Sequence, residues 1–235
     1  MTDQSVKPPH SNSGITRLII ARHGNTFTSD QTPTRVGCRT DLALTEQERA
    51  KNIGRYINHK GWQVNAVYSG PLKRHKQTAM LASAVMQFPA HHIQINQDFN
   101  EIDYGPDENR TEAQVIARLG QGDLAKGQAS IDAWNADATV PEGWIIDVAG
   151  LKNSWRNFAD QLLEQHAGQT VLLVSSNGVM RFAPAITGDF AAFVAQHPIK
   201  VATGGVCVFE FDKAAKQGWQ VREWALKPAK AFNLA

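Results

Sequence analysis

The sequence predicts an α/β protein, a three-layer α/β/α sandwich built on a mostly parallel, doubly wound sheet. Short apolar runs such as Leu18–Ala21 and Val171–Val174 read as strands buried on both faces. Amphipathic helical stretches alternate with those runs, as crossover helices do in such a sheet. Several runs end in turn-forming residues, among them Gly24, Ser69-Gly70-Pro71 and Ser176-Asn177-Gly178.

The elements follow in order. Arg17–Ala21 is the first strand, ending in Arg22-His23-Gly24. Thr45 with Glu48 predicts a capping box, and Ala50, Ile53, Tyr56 and Ile57 then share one helical face up to Gly61. Val64–Tyr68 is a second strand, Leu72–Met86 a second helix and Ile93–Ile95 a short third strand. From 102 to 150 the pattern weakens and Gly, Asp and Asn accumulate. One helix is expected at Thr111–Leu119, with the rest an insertion over one edge of the sheet, in which the isolated Trp134 and Trp144 either line the pocket mouth or only anchor the insertion. Leu151, Trp155, Phe158 and Leu162 restore the helical period, and Gly168 stops it. Thr170–Ser175 is the next strand. Val206–Phe211 and Gln220–Leu226 close the sheet, joined by a connection short enough for an antiparallel pair.

The chain has 235 residues, and 15–235 are expected to form a single domain. Residues 1–14 are polar, with Pro8, Pro9, Ser11, Asn12 and Ser13, and read as a flexible tail without the apolar core of a signal peptide. No run approaches the about 20 apolar residues of a membrane span. Lys plus Arg number 24 against 22 for Asp plus Glu, which argues against a nucleic-acid binder but leaves room for a local cationic pocket. Cys38 and Cys207 read as free thiols of a reducing cytoplasm. Edge strands could pair in a homodimer.

Ligands of an open α/β sheet bind at the carboxyl ends of its strands. Those ends deliver Arg22, His23 and Asn25, then Arg74, then Glu101, then Ser175 and Ser176. The set suits phosphoryl transfer. Guanidiniums match phosphate oxygens and stabilise transition-state charge. A neutral imidazole can attack phosphorus, and a carboxyl group can protonate the leaving oxygen and then activate water. The arginines supply the positive charge, so no metal or other cofactor is expected.

These residues also carry a resemblance. Arg22-His23-Gly24 after an apolar strand resembles the signature of the histidine phosphatase (phosphoglycerate mutase-like) superfamily. Gly37, Arg39, Thr40, Asp41, Leu44 and Thr45 resemble its stretch leading to the first helix. Ser69–Arg74 with Gln77-Thr78-Ala79, Asn100–Gly105 and Val174–Arg181 resemble further blocks in the same order. The resemblance runs from about Arg17 to Arg181. It implies His23 as the nucleophile that becomes phosphohistidine and Arg22 and Arg74 as phosphate ligands. It further implies Glu101 as proton donor and Asn25 as a polar pocket residue.

The sequence departs from the family pattern at Ser176, where the second histidine is expected. Serine donates one hydrogen bond to a phosphate oxygen and carries no charge, and losing a transition-state donor costs about 10²–10³ in rate. The chain thereby resembles a branch in which Arg-His-Gly-Asn-Thr-Phe accompanies Ser-Asn at this point. Phe27-Thr28-Ser29-Asp30 lacks the Trp-Asn of the mutase branch, and Pro106–Asn109 replaces a common Trp-Glu-Gly.

The leading expectation is a metal-independent phosphomonoesterase acting on a small phosphorylated substrate. The rivals are a phosphate or phospho-ligand binding protein with weak or no catalysis, and a mutase-like phosphotransferase. Specificity is expected from the insertion. Asp103, Asp107 and Glu108 are alternative acids. His75, His91, His92 and His197 read as structural or surface, His75 because its side chain should point away from that of Arg74. Ser176 could equally satisfy its own turn.

Overall fold

The computed structural model describes residues 14–215 and 217–231, so the expected tail, Gly14 apart, lies outside the described residues. The chain runs β1 (Ile15–Arg22), α1 (Glu48–His59), β2 (Val64–Ser69), α2 (Lys73–Met86), β3 (Gln94–Ile95), α3 (Glu112–Gly120) and α4 (Leu124–Asp137). It continues α5 (Val148–Gln165), β4 (Thr170–Ser175), α6 (Asn177–Met180), α7 (Phe190–Gln196), β5 (Val206–Asp212), β6 (Gln220–Leu226) and α8 (Pro228–Ala231).

The strands form one sheet in the order β3-β2-β4-β1-β5-β6. The first four in that order run parallel. β5 is antiparallel to β1, and β6 to β5. The period-two rule divides β1 between two cores. Leu18 and Ile20 pack on one face with Trp155, Phe158 and Leu162 of α5. Ile19 and Ala21 pack on the other with Ile53, Tyr56 and Ile57 of α1 and Ala79 and Ala82 of α2. Helices thus cover both faces, which is the three-layer sandwich. β1 and β4 are fully buried along their central residues, which explains their unbroken apolar runs.

Two expectations about elements are corrected. The capping box at Thr45 and Glu48 does not form. Gln47 occupies the cap position of α1 without a side-chain bond, and Glu48 is already helical. Thr45 Oγ instead donates to the carbonyls of Asn25 and Phe27, at 3.3 and 3.1 Å. The hydroxyl is spent on tying down the loop after β1, and Glu46 Oε2 accepts the Arg49 N–H in its place.

The stretch beyond Leu119 is not irregular, because α4 follows α3 after a short turn. Asp123 caps α4 by accepting from the N–H groups of Ala125 and Lys126. Its buried residues are Gly127, Ile131 and Trp134, one turn apart. Thr111 and Gln114 form a reciprocal capping box on α3. Val115, Leu119, Ile131 and Trp134 join the same core as α5.

Candidate active site

β2, β4 and β1 are adjacent and parallel, so their carboxyl ends open side by side. Arg22 is in register with Ser175, and Ser69 with Val174. The His23 N–H donates to the Ser175 carbonyl at 3.0 Å, and the Gly70 N–H to the Val174 carbonyl at 2.9 Å. The Ser175 hydroxyl donates to the Phe99 carbonyl at 2.9 Å, which draws in the segment carrying Glu101. A cavity of about 950 Å³ opens there, lined among others by Arg22, His23, Asn25, Glu101, Asn177 and Arg181.

His23 is buried, and its Nδ1 lies 2.7 Å from the Gly24 carbonyl. A carbonyl only accepts, so Nδ1 carries the proton and Nε2 keeps its lone pair. Burial, then Arg22, Arg74 and His75, push the His23 pKa well below its ordinary 6.5. The imidazole is therefore neutral at physiological pH. The Gly24 N–H donates to Thr78 Oγ, whose hydroxyl donates to the Arg74 carbonyl, so the nucleophile candidate and α2 are joined through one side chain.

Glu101 is 7% exposed. Burial raises its pKa above the ordinary 4.5, against the pull of Arg74, the Ile102 N–H and Arg22. Its Oε1 accepts the Ile102 N–H at 2.9 Å. Gly178 makes room for it, since a Cβ there would stand 2.4 Å from Oε1. The alternative carboxylates are committed elsewhere, and none of them lines the cavity. Asp107 is buried between Arg118 and the Trp144 indole N–H. Asp103 pairs with Arg39. Glu108 accepts from the N–H groups of Gly37 and Arg39 and from the Thr40 hydroxyl.

Those last bonds matter for Arg74. Glu108 holds the 37–40 loop, and the carbonyls of Thr40, Val36 and Gly37 accept from the Arg74 guanidinium at 2.8, 3.1 and 3.2 Å. Arg74 is fully buried and is not among the cavity-lining residues. Its Nε is buried without a partner, as is that of Arg22. Arg22 Nη1 donates to the Val201 carbonyl at 2.6 Å. Asn25 Oδ1 accepts from the Thr203 hydroxyl at 2.5 Å, which leaves its NH₂ group as the remaining donor.

His75 corrects the sequence expectation. It does not point away from the site but is fully buried, with its ring centroid 5.7 Å from that of His23. Its Nε2 lies 2.6 Å from Ser176 Oγ. Ser176 precedes α6 in the cap position yet makes no side-chain cap bond, so its hydroxyl does not serve its own turn. Ser176 is fully buried and, like Arg74, is not among the cavity-lining residues.

Further lining residues escaped the motif reading. Arg35, Arg181 and Lys200 add positive charge to the cavity wall. Arg181 lies 3.7 Å over the Trp134 ring and donates to the Trp134 carbonyl. Burial lowers its pKa to about 10, so it stays charged. Of the two tryptophans the sequence offered for the pocket mouth, Trp134 both lines the cavity and anchors α4, whereas Trp144 is buried and is not among the lining residues. The Asn177 amide oxygen accepts the Val201 N–H at 2.7 Å. Among the described residues no group of three or more His, Cys, Asp or Glu side chains is placed to share a metal ion. No helix is long and apolar enough to cross a membrane among those residues.

Residues 18–227 match the family model of the histidine phosphatase superfamily (branch 1). Solved structures share the fold. A mycobacterial glucosyl-3-phosphoglycerate phosphatase is 19% identical, with 90% of this chain and 99% of that chain covered and a TM-score of 0.67. A histidine-to-alanine variant of phosphoserine phosphatase from Entamoeba histolytica, in complex with phosphoserine, is 16% identical over 90% and 98%, with a TM-score of 0.66. A protein described as mycobacterial hydrolase 1 is 19% identical over 91% and 99%, with a TM-score of 0.69.

Proposed function

The chain belongs to the histidine phosphatase superfamily, and from that premise we propose that it is a phosphomonoester hydrolase working through a phosphohistidine at His23. The observation that carries the reading is the Nδ1 contact to the Gly24 carbonyl, which leaves Nε2 unprotonated beside Arg22 and Glu101.

In the first step the Nε2 lone pair forms a bond to phosphorus as the ester P–O bond breaks. Glu101 gives its proton to the departing oxygen, a role suited to a carboxyl group whose pKa is raised. In the second step the Glu101 carboxylate takes a proton from water. The water oxygen bonds to phosphorus, the P–N bond breaks and neutral His23 returns. Arg22 and Asn25, which line the cavity, meet the phosphoryl oxygens; Arg74 offsets their charge from behind the cavity wall, and Ser176 donates once the phosphoryl group is seated on His23. The reading needs no metal ion.

The proteins of like fold include phosphatases for phosphoserine and for glucosyl-3-phosphoglycerate. This supports a small phosphorylated metabolite as substrate here. The test is hydrolysis of a generic aryl phosphate, without added metal, by wild type and His23→Ala. The variant should lose turnover. Wild-type rates in the variant would sink the mechanism, and phosphate binding without turnover in the wild type would favour a binding protein instead.

A further inference from the structure

Ser176 poses a chemical problem for the proposed reaction, because a lone hydroxyl can turn its proton to whichever acceptor is nearest. The structure places a partner on it. His75 Nε2 stands 2.6 Å from Ser176 Oγ, and both residues are fully buried. The tautomer of His75 decides what that contact does. His75 Nδ1 is buried without a hydrogen-bond partner. It faces Gly70, where a Cβ would stand 2.3 Å from it.

A buried N–H with no acceptor costs more than a bare lone pair in the same place. The proton therefore belongs on Nε2, and Nδ1 keeps its lone pair against Gly70. Burial and then Arg74 hold the ring well below its ordinary pKa, so a second proton does not join it. Nε2–H then donates to Ser176 Oγ, which occupies the oxygen as an acceptor. The Ser176 proton is left to point elsewhere, and the N–H groups of α6 do not use the hydroxyl.

We propose that His75 is a positioning residue for phosphoryl transfer, donating through Nε2 to Ser176 Oγ so that the Ser176 hydroxyl presents its proton to a phosphoryl oxygen at His23. This rests on the reading of His23 as nucleophile. It gives the chain a two-residue neutral donor, its imidazole supplied by α2 and its hydroxyl by the turn after β4. A donor polarised by a second hydrogen bond is the stronger for it. Two features of the sequence gain a reason. Gly70 gives the His75 ring its room, and His75 is a polar ring on the buried face of α2.

The test compares His75→Gln, His75→Phe, Ser176→Ala and His75→Phe/Ser176→Ala with wild type and His23→Ala. Glutamine keeps an N–H donor near the place of Nε2 but loses the ring, whereas phenylalanine keeps the ring and loses the donor. Two quantities are read, kcat and KM on the aryl phosphate and the dissociation constant of vanadate, which requires no turnover. Circular dichroism checks each fold.

The proposal expects kcat to fall at least about tenfold in His75→Phe with little change in KM, short of the about 10²–10³ expected for Ser176→Ala. It expects His75→Gln to retain more than His75→Phe, the double variant to match Ser176→Ala, and vanadate affinity to follow the same order. A ring kept only for packing gives the opposite order, with phenylalanine the better replacement. That order, or independent losses in the double variant, would overturn the proposal while leaving an inactive His23→Ala and the phosphohistidine reading intact. Turnover in His23→Ala at the wild-type rate would remove both.

Discussion

At Glu101 two opposing forces act on one carboxyl group. Burial favours the neutral acid, while Arg74 and Arg22 favour the anion, and burial prevails. A raised pKa means the acid form persists to higher pH than in a free glutamate. The rate should therefore fall on the alkaline side, at an inflection above the ordinary 4.5. Glu101→Gln should lower kcat by about 10²–10⁴ and abolish that inflection in kcat/KM. An unchanged inflection in the variant would place the proton donor elsewhere. Arg22 and His23 were legible because the apolar run of β1 leads straight into them, and Glu101 because its block follows theirs in the family order, although the β3 strand before it is only two exposed residues. His75 was not, because neighbouring helix positions are usually taken to diverge. α2 buries a stripe wide enough to hold Arg74, His75, Thr78, Ala79 and Ala82 together. The signal was present: His75 lies four residues before Ala79 and seven before Ala82, on the face that meets the sheet.

The helical hairpin of α3 and α4 shows where the element scale resists a sequence reading. The sequence offered α3 but not α4, because Gly, Asp and Asn accumulate there and weaken the period, yet Gly127 serves packing. A Cβ at Gly127 would stand 2.0 Å from the Ile116 carbonyl oxygen, so only glycine lets the two helices approach so closely. Intrinsic preference alone makes Gly127→Ala stabilising by about 1 kcal/mol. The contact is with backbone, which cannot rotate away, and overpacking of this kind costs about 1–3 kcal/mol or more. Sterics should win. Gly127→Ala should lower stability by about 1 kcal/mol, and by up to about 2, in urea unfolding once the two terms are combined. A stabilised variant would contradict the close approach. Because Trp134 on α4 also lines the cavity, KM should rise in the same variant. The missed cap at Thr45 has a related cause. A threonine three residues before a glutamate fits the capping pattern, but tertiary contacts to the loop after β1 claimed the hydroxyl first.

Across the whole molecule, the strand order turns distant sequence blocks into one site. β1 and β4 are separated by most of the chain, yet pair in parallel and set Arg22-His23 beside Ser175-Ser176. The periodicity of the apolar runs revealed strands and helices but not that neighbour relation, since the order β3-β2-β4-β1-β5-β6 depends on crossovers. The scaffolding of Arg74 was equally hidden. It needs Glu108 to hold the 37–40 loop, a contact between segments about seventy residues apart. Every part of this arrangement bears on whether His23 takes up a phosphoryl group. The most direct measurement is rapid quenching of the wild type during turnover of an aryl phosphate, followed by peptide mass spectrometry under alkaline conditions that preserve phosphohistidine. The account predicts one phosphoryl group on the His23 peptide, bonded through Nε2 and absent from His23→Ala. Steady product release with no phosphorylated protein, or a phosphoryl group on any other residue, would contradict it.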